Sequence, residues 1–249
     1  MSSVVASNPT QHPRQLRLAR RSARMSSRWD AKHSIEETLH AMISSIQARD
    51  RYTRGHSERV AKLSLDLAVI YELSHEACQE IYIAGIVHDI GKIGIPDCVL
   101  FKEGILADAE YKTIQKHPEI GYRILERLGH LQFVLPGVLY HHERWDGKGY
   151  PHRLAGQTIP IMARIMAVAD AYDAMTSCRP YRQTMPVEKA QQIVVAGGGE
   201  QWDAEVVECF SVWLSRRKAT KKENSPVSSL IPDHSVVEQI AKATKVVRR

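Results

Sequence analysis

The chain of 249 residues lacks the marks of several large protein classes. Its four cysteines, Cys78, Cys98, Cys178 and Cys209, include no closely spaced pair. That excludes a zinc ribbon, a CxxC redox pair and a disulfide scaffold, and the four read as reduced, buried thiols of a cytosolic protein. No run approaches the ~18 apolar residues of a membrane span. The first residues lack the apolar core of a signal peptide. No stretch alternates apolar and polar residues as a half-buried strand does, and no segment repeats. With 43% hydrophobic and 25% charged residues, the composition excludes a disordered, collagen-like or disulfide-stapled chain. The length suits one large domain or two small ones, with a sizeable core.

The formal charge of +6 points at first to an acidic partner, nucleic acid or a membrane surface. Its distribution argues otherwise. Residues 1–30 carry +5, residues 215–249 carry +6, and the body between them carries −5. The tails have low complexity and no interleaved aromatics, so nucleic-acid binding by them is not expected.

Apolar periodicity predicts helices over 34–48, 57–72, 75–90, 107–115, 118–128, 135–143, 161–176, 186–195 and 203–216. Ser34 and Glu37 form a capping box. The stretch 91–107 is loop-like, and Gly197–Gly199 mark a turn. The expected class is an all-α helical bundle. The expected organisation is a basic, disordered segment over 1–33, an all-α domain over 34–214 and a basic tail over 215–249. A short basic helix fits 14–28. The tail reads as a polar linker over 218–235, with room for a short amphipathic helix over 235–247.

Histidine is plentiful, with twelve in all, and five stand in distinctive settings. In VHDIGKIGIPD (87–97), His88 and Asp89 end an apolar helix, and Gly91 lets the chain turn so that Lys92 comes close. Neighbouring helical side chains diverge by about 100°. His88 and Asp89 therefore cannot grip one ion from one face, but an Asp carboxylate can bridge two cations. A helix C-cap with an incidental His–Asp pair is the equal alternative. In YHHERWDGKGYP (140–151), His141 and His142 precede a Gly-rich loop that presents Tyr150. This reads as a metal site beside a binding loop, or as a polar helix end and a turn. In ARIMAVADAYDAMTSCRPYR (163–182), Asp170 sits in a helix apolar nearly all round, with Ile165, Met166, Val168, Ala169 and Met175 expected inside. A buried carboxylate needs a partner or a metal. Asp173 reads as a structural cap or pair. Arg179 and Arg182 flank Pro180 as a rigid anion-binding corner. His56, in YTRGHSERV, and His117, before Pro118, stand at helix starts. Mixed imidazole and carboxylate donors suit iron, manganese or zinc rather than calcium. Seven such ligands are too many for one ion, so a cluster of two follows.

These motifs resemble the HD-GYP family, a branch of the HD-domain metal phosphohydrolases. HDIGK, HHERWDGKGYP and VADAYDAMTSCRPYR occur in the family's order, QWDAEVVECF resembles its closing helix, and the likeness covers about residues 34–214. It implies an all-α, HD-type bundle with extra C-terminal helices that hydrolyses cyclic di-GMP at two or three metals. His56, His88, Asp89 and Asp170 resemble the basic metal site. His117, His141 and His142 resemble the ligands of the added metal, with Asp89 bridging. Lys92 matches the lysine near the bridging water and scissile phosphate. Gly149, Tyr150 and Pro151 match the signature loop that reaches the ligand, and Arg179 and Arg182 match two phosphate contacts. Three-metal members carry a Glu four residues before the first His. Here that position is Tyr52, so two divalent ions are expected, iron or manganese first, with zinc, nickel or magnesium admitted.

The expected reaction is attack of a metal-bridging hydroxide on a 3′–5′ phosphodiester, with Lys92 and Asp89 in the catalytic roles. The first product would be linear pGpG, and a second cut could give GMP. A weakly active cyclic-dinucleotide receptor, or a phosphodiesterase for cyclic GMP-AMP, are the alternatives. The resemblance implies a cytoplasmic bacterial signalling enzyme. Only about 33 residues precede the first core helix, too few for a receiver domain, so the expectations are constitutive action, or control through a protein partner, a homodimer or the chain's own tail.

Overall fold

The computed structural model of the chain describes Met42, residues 55–177 and residues 184–222. Tyr52, Cys178, Arg179, Arg182, residues 1–33 and the segment 235–247 lie outside the described residues. So does the predicted helix over 34–48, apart from Met42, which is helical.

Nine α-helices and three 3₁₀ turns make up the described residues, with one isolated bridge, Gly198–Trp202, and no strand. The all-α expectation holds. Helix α1 (His56–Ile70) packs along α2 (His75–Val87), and α7 (Ile161–Thr176) packs on α1. Their facing surfaces form the core: Val60, Leu63 and Leu67 from α1, Ile81, Ile83 and Val87 from α2, Ile165, Met166 and Val168 from α7. Each such side chain contributes ~1.5–3 kcal/mol on burial. Helix α6 (Leu135–Tyr140) and α8 (Val187–Ala196) flank α7, and α9 (Ala204–Lys222) closes against α1, α7 and α8. Phe210 and Trp213 of α9 meet Tyr172 in an aromatic cluster, and Trp213 Nε1 donates to Asp66 at 2.9 Å.

Local chemistry explains most boundaries. Ser74 caps α2 by accepting the Ala77 N–H at 3.2 Å. Pro118 and Pro136 stand in the first turns of α5 (His117–Leu125) and α6, where a missing N–H costs no helical bond. The Glu110 side chain accepts the Ala107 N–H at the start of α4 (Asp108–Ile114).

The structure corrects several expectations. Helix α2 stops at Val87 rather than 90, because the chain tightens into a 3₁₀ turn over Ile90–Gly94. The stretch 91–107 is not wholly irregular, holding most of that turn and the short α3 (Asp97–Leu100). Helix α6 ends at Tyr140, not 143. Helix α9 runs on to Lys222, through the start of the expected linker. Met175 is only half-buried, while Asp173 near it is buried. Of the cysteines, Cys78 is buried, Cys209 is partly so and Cys98 is exposed. Cys98 lies on the single-turn α3, which buries only Val99. No helix among the described residues is long and apolar enough to cross a membrane.

The turn after α2 has a steric requirement that places the site. At Gly91 the backbone crosses the start of α5, and a Cβ there would lie 1.8 Å from His117 O and 2.5 Å from Gly121 N. Only glycine permits that approach. It brings the Asp89–Lys92 turn against His117.

Candidate metal centre

The site is assembled from the ends of helices. His56 is the first residue of α1, His88 caps the end of α2, His117 opens α5, and His141 and His142 follow α6. Asp170 comes from the middle of α7. His88, His117 and His141 are each 1% exposed, Asp89 is 2% and His56 is 5%, so the cluster is withdrawn from water.

Three of the histidines share one device. The Nδ1–H of His88 donates to Gly85 O at 2.7 Å, that of His117 to Ile114 O at 2.8 Å, and that of His141 to Val138 O at 2.9 Å. Each imidazole thus caps the carbonyl three residues earlier, at the end of a helix where carbonyls lack helical partners. A carbonyl can only accept, so Nδ1 carries the proton and Nε2 keeps its lone pair. His56 fixes its Nδ1–H differently, donating it to Asp173 Oδ2 at 2.7 Å.

The four Nε2 atoms converge. His56 Nε2 is 3.3 Å from Asp170 Oδ1 and 3.8 Å from Asp89 Oδ2. His88 Nε2 lies 3.3 Å from Asp89 Oδ2 and is buried without a hydrogen-bond partner. His117 Nε2 lies 3.4 Å from Asp89 Oδ1 and 3.3 Å from His141 Nε2. Asp89 therefore turns one oxygen towards His56 and His88 and the other towards His117. Three donor groups lie close enough to hold a metal ion: His56, His88 and Asp170; His88, Asp89 and His141; and His117, His141 and His142, with all donor atoms of a group within 4.8 Å of one another. Two proton-free nitrogens facing each other repel, and a buried lone pair with no donor is costly. A shared divalent cation relieves both, and imidazole with carboxylate is a donor set suited to one.

Charge follows the same arrangement. Burial pushes the Asp89 carboxyl up, but Lys92, His88 and His117 outweigh it and hold the group well below the usual carboxylate range. Lys92 Nζ donates to Asp89 Oδ2 at 2.7 Å. Asp170 is likewise held low, burial being outweighed by its bond to His56 and by His88 and His142. Burial lowers His117 to about 3, and also lowers His141 and His142, so these rings are neutral. His56 is the exception. Burial lowers it, but Asp170, Asp173 and Asp89 together raise it to about 9.

The loop after α6 closes the site. The Tyr150 ring stacks on His142, with centroids 4.8 Å apart, and its N–H donates to His142 O at 3.2 Å. Burial first, then the nearby Tyr111, Asp170 and Asp89, push the Tyr150 phenol up, so it keeps its proton. Gly149 is buried, and a Cβ there would lie 2.4 Å from Arg144 N and 2.5 Å from Glu143 Cα. Its lack of a side chain lets the loop press down. Asp146 accepts both Arg144 Nε and Nη2, at 3.0 and 2.7 Å, and the Lys148 N–H at 3.1 Å.

Three residues that the sequence did not single out for the site shape it. Arg59 donates to Asp173 through Nε at 2.6 Å and Nη2 at 3.0 Å. Asp173 itself holds His56. Glu143, 3% exposed, accepts the His152 N–H at 2.7 Å and anchors the far side of the Tyr150 loop. The Arg59 signal was legible as a cation three residues after His56. Nothing in the sequence names its partner.

A family model described as "HD domain" matches residues 40–206. A cyclic di-GMP phosphodiesterase of Thermotoga maritima is 44% identical over 70% of this chain and 48% of that protein. A 3′3′-cGAMP-specific phosphodiesterase of Vibrio cholerae is 36% identical over 72% of this chain and 35% of that protein. The chain thus spans about half or less of these curated relatives. In fold it is similar to Bd1817, an HD-GYP-type protein of Bdellovibrio bacteriovorus, with a TM-score of 0.56 and 18% identity, covering 76% of this chain and 64% of the other. The helical architecture, the histidine–aspartate cluster and the matched span agree: the chain belongs to the HD-domain family, and its HDIGK and HHERWDGKGYP motifs place it in the HD-GYP branch.

Proposed function

We propose that the chain is a metal-dependent phosphodiesterase that hydrolyses cyclic di-GMP to linear pGpG. One observation carries the reading: proton-free imidazole nitrogens converge on both oxygens of a single buried aspartate, Asp89, beside a tyrosine-bearing loop. The substrate class rests on the relatives, which are named as phosphodiesterases of cyclic di-GMP or 3′3′-cGAMP.

His56, His88 and Asp170 would hold one divalent ion and His117, His141 and His142 a second, with Asp89 between them. Iron and manganese suit the donor set, and zinc, nickel and magnesium are admitted. When bound, such ions acidify water to a pKa of ~7 and offset charge on phosphoryl oxygens. Neutral His117, His141 and His142 offer lone pairs without prior loss of a proton. Lys92 keeps Asp89 ionised and oriented, and its ammonium charge would offset negative charge growing on a phosphoryl oxygen. Tyr150, held protonated, donates from the loop side. Arg179 and Arg182 supply forked donors to the substrate phosphates.

The second reading, cyclic GMP-AMP as substrate, is favoured by the relatives named for it. Incubating protein loaded with Mn(II) or Fe(II) with a panel of cyclic dinucleotides, and separating products by chromatography, decides between them. Linear pGpG from cyclic di-GMP is expected. Absence of any linear product across the panel would leave a receptor and overturn the enzyme reading.

A further inference from the structure

One buried carboxylate beside the centre points away from it. Asp173 lies one turn beyond Asp170 on α7, is 6% exposed and belongs to none of the metal-competent groups. Every partner it has in reach is a donor. His56 Nδ1, Arg59 Nη2 and Ser177 Oγ donate to Oδ2 at 2.7, 3.0 and 3.0 Å, and Arg59 Nε donates to Oδ1 at 2.6 Å. Arg59 Nη2 also donates to Ser177 Oγ at 2.9 Å.

The arrangement answers a particular difficulty. His88, His117 and His141 each use the carbonyl three residues earlier to hold the proton on Nδ1. His56 opens its helix, so no helical carbonyl stands three residues before it. A side chain must supply the acceptor, and Asp173 does. A bare carboxylate there would repel Asp89 and Asp170, and the Arg59 fork offsets its charge. The same guanidinium reaches Ser177, the residue that follows α7.

We propose that Asp173, clamped by Arg59, is the positioning residue that aims His56 Nε2 into the metal centre.

The test uses the full chain and two variants, measured by Mn(II) titration and by thermal unfolding with chelator. Asp173→Asn has one oxygen for two sides, so an amide N–H₂ must face either His56 or Arg59. Its Mn(II) affinity is expected to fall 10–100-fold. Arg59→Lys keeps the charge but loses the fork, and its affinity is expected to fall several-fold. Wild-type Mn(II) affinity in folded Asp173→Asn, or in Arg59→Lys if the first does not fold, overturns the positioning role, since a merely structural pair would lower only the unfolding temperature. The titration stands apart from the phosphodiesterase reading: wild-type protein that binds Mn(II) but turns over no cyclic dinucleotide overturns that reading and leaves the positioning role in place.

Discussion

His117 Nε2 and His141 Nε2 face each other across 3.3 Å with no proton between them, because each ring has its one proton on Nδ1, given to a backbone carbonyl. Two lone pairs so placed are unfavourable in a dry interior and favourable around a cation. Helix ends and their backbone carbonyls set this geometry.

Removing the shared carboxylate should therefore disable both halves of the centre at once. Asp89→Ala is expected to lose metal loading and hydrolysis together, and to leave Lys92 without the partner now 2.7 Å away. Metal content after dialysis, with turnover of cyclic di-GMP on the same sample, checks this. Near-normal values in the variant would remove the metal-cluster mechanism.

Metal affinity should depend on pH through one histidine. His117, His141 and His142 are pushed down, so protons do not compete for them near neutrality. His56 is raised to about 9, so below that pH the metal-free protein carries a proton that an ion must displace. Affinity is expected to rise with pH by up to about tenfold per unit and to level off above about 9. For the metal-free fold the sign is opposite. A raised folded pKa adds stability that is fully present below the unfolded value near 6.5 and is lost as pH rises through about 9. Mn(II) titrations between pH 6 and 10 on the full chain read the slope, and a flat profile would contradict the assignment.

Tyr150 has two separable functions. Its ring stacks on His142 and its phenol stays protonated. Tyr150→Phe keeps the stack and is expected to retain metal while weakening substrate binding by ~1.5–3 kcal/mol, the usual worth of a hydrogen bond to a charged group. Tyr150→Ala also removes the ring from His142 and should loosen the metal. Equal substrate affinity in wild-type and Phe proteins would place the hydroxyl away from the phosphates.

Gly91 is expected to tolerate no side chain. A methyl there would overlap the His117 carbonyl at 1.8 Å, a backbone contact that no rotamer change relieves. Gly91→Ala should cost ~3 kcal/mol or more, at or beyond the upper end of overpacking effects. Urea unfolding of metal-free protein measures this, and a midpoint like wild-type would show the turn to be adaptable.

Much of the fold was legible because helical periodicity is local. The predicted 161–176 coincides with α7, and most other predicted spans lie within a few residues of those observed. Boundaries failed where a distant segment imposed them. Nothing between residues 87 and 95 says that Gly91 meets α5, so the helix end at Val87 and the following 3₁₀ turn were not visible. Cys98 failed for a related reason: burial depends on what covers a short helix, and nothing covers α3 at that position.

At the centre the division is physical. Composition, the run of helices and the identities of the donor residues follow from sequence alone, since side-chain type limits which ions it can bind and periodicity limits which element carries it. Which nitrogen of each imidazole bears the proton is a tertiary matter for His56, whose Nδ1 partner lies on another helix, at Asp173. For His88, His117 and His141 the partner is three residues away, but it serves only because a helix ends there. That Asp89 faces two groups of histidines, and that Asp173 and Arg59 hold a ligand rather than an ordinary surface pair, was decided by packing α1 against α7 and crossing Gly91 over α5. Contacts between residues more than a hundred positions apart leave no periodic trace in the chain, so only the folded structure reveals them.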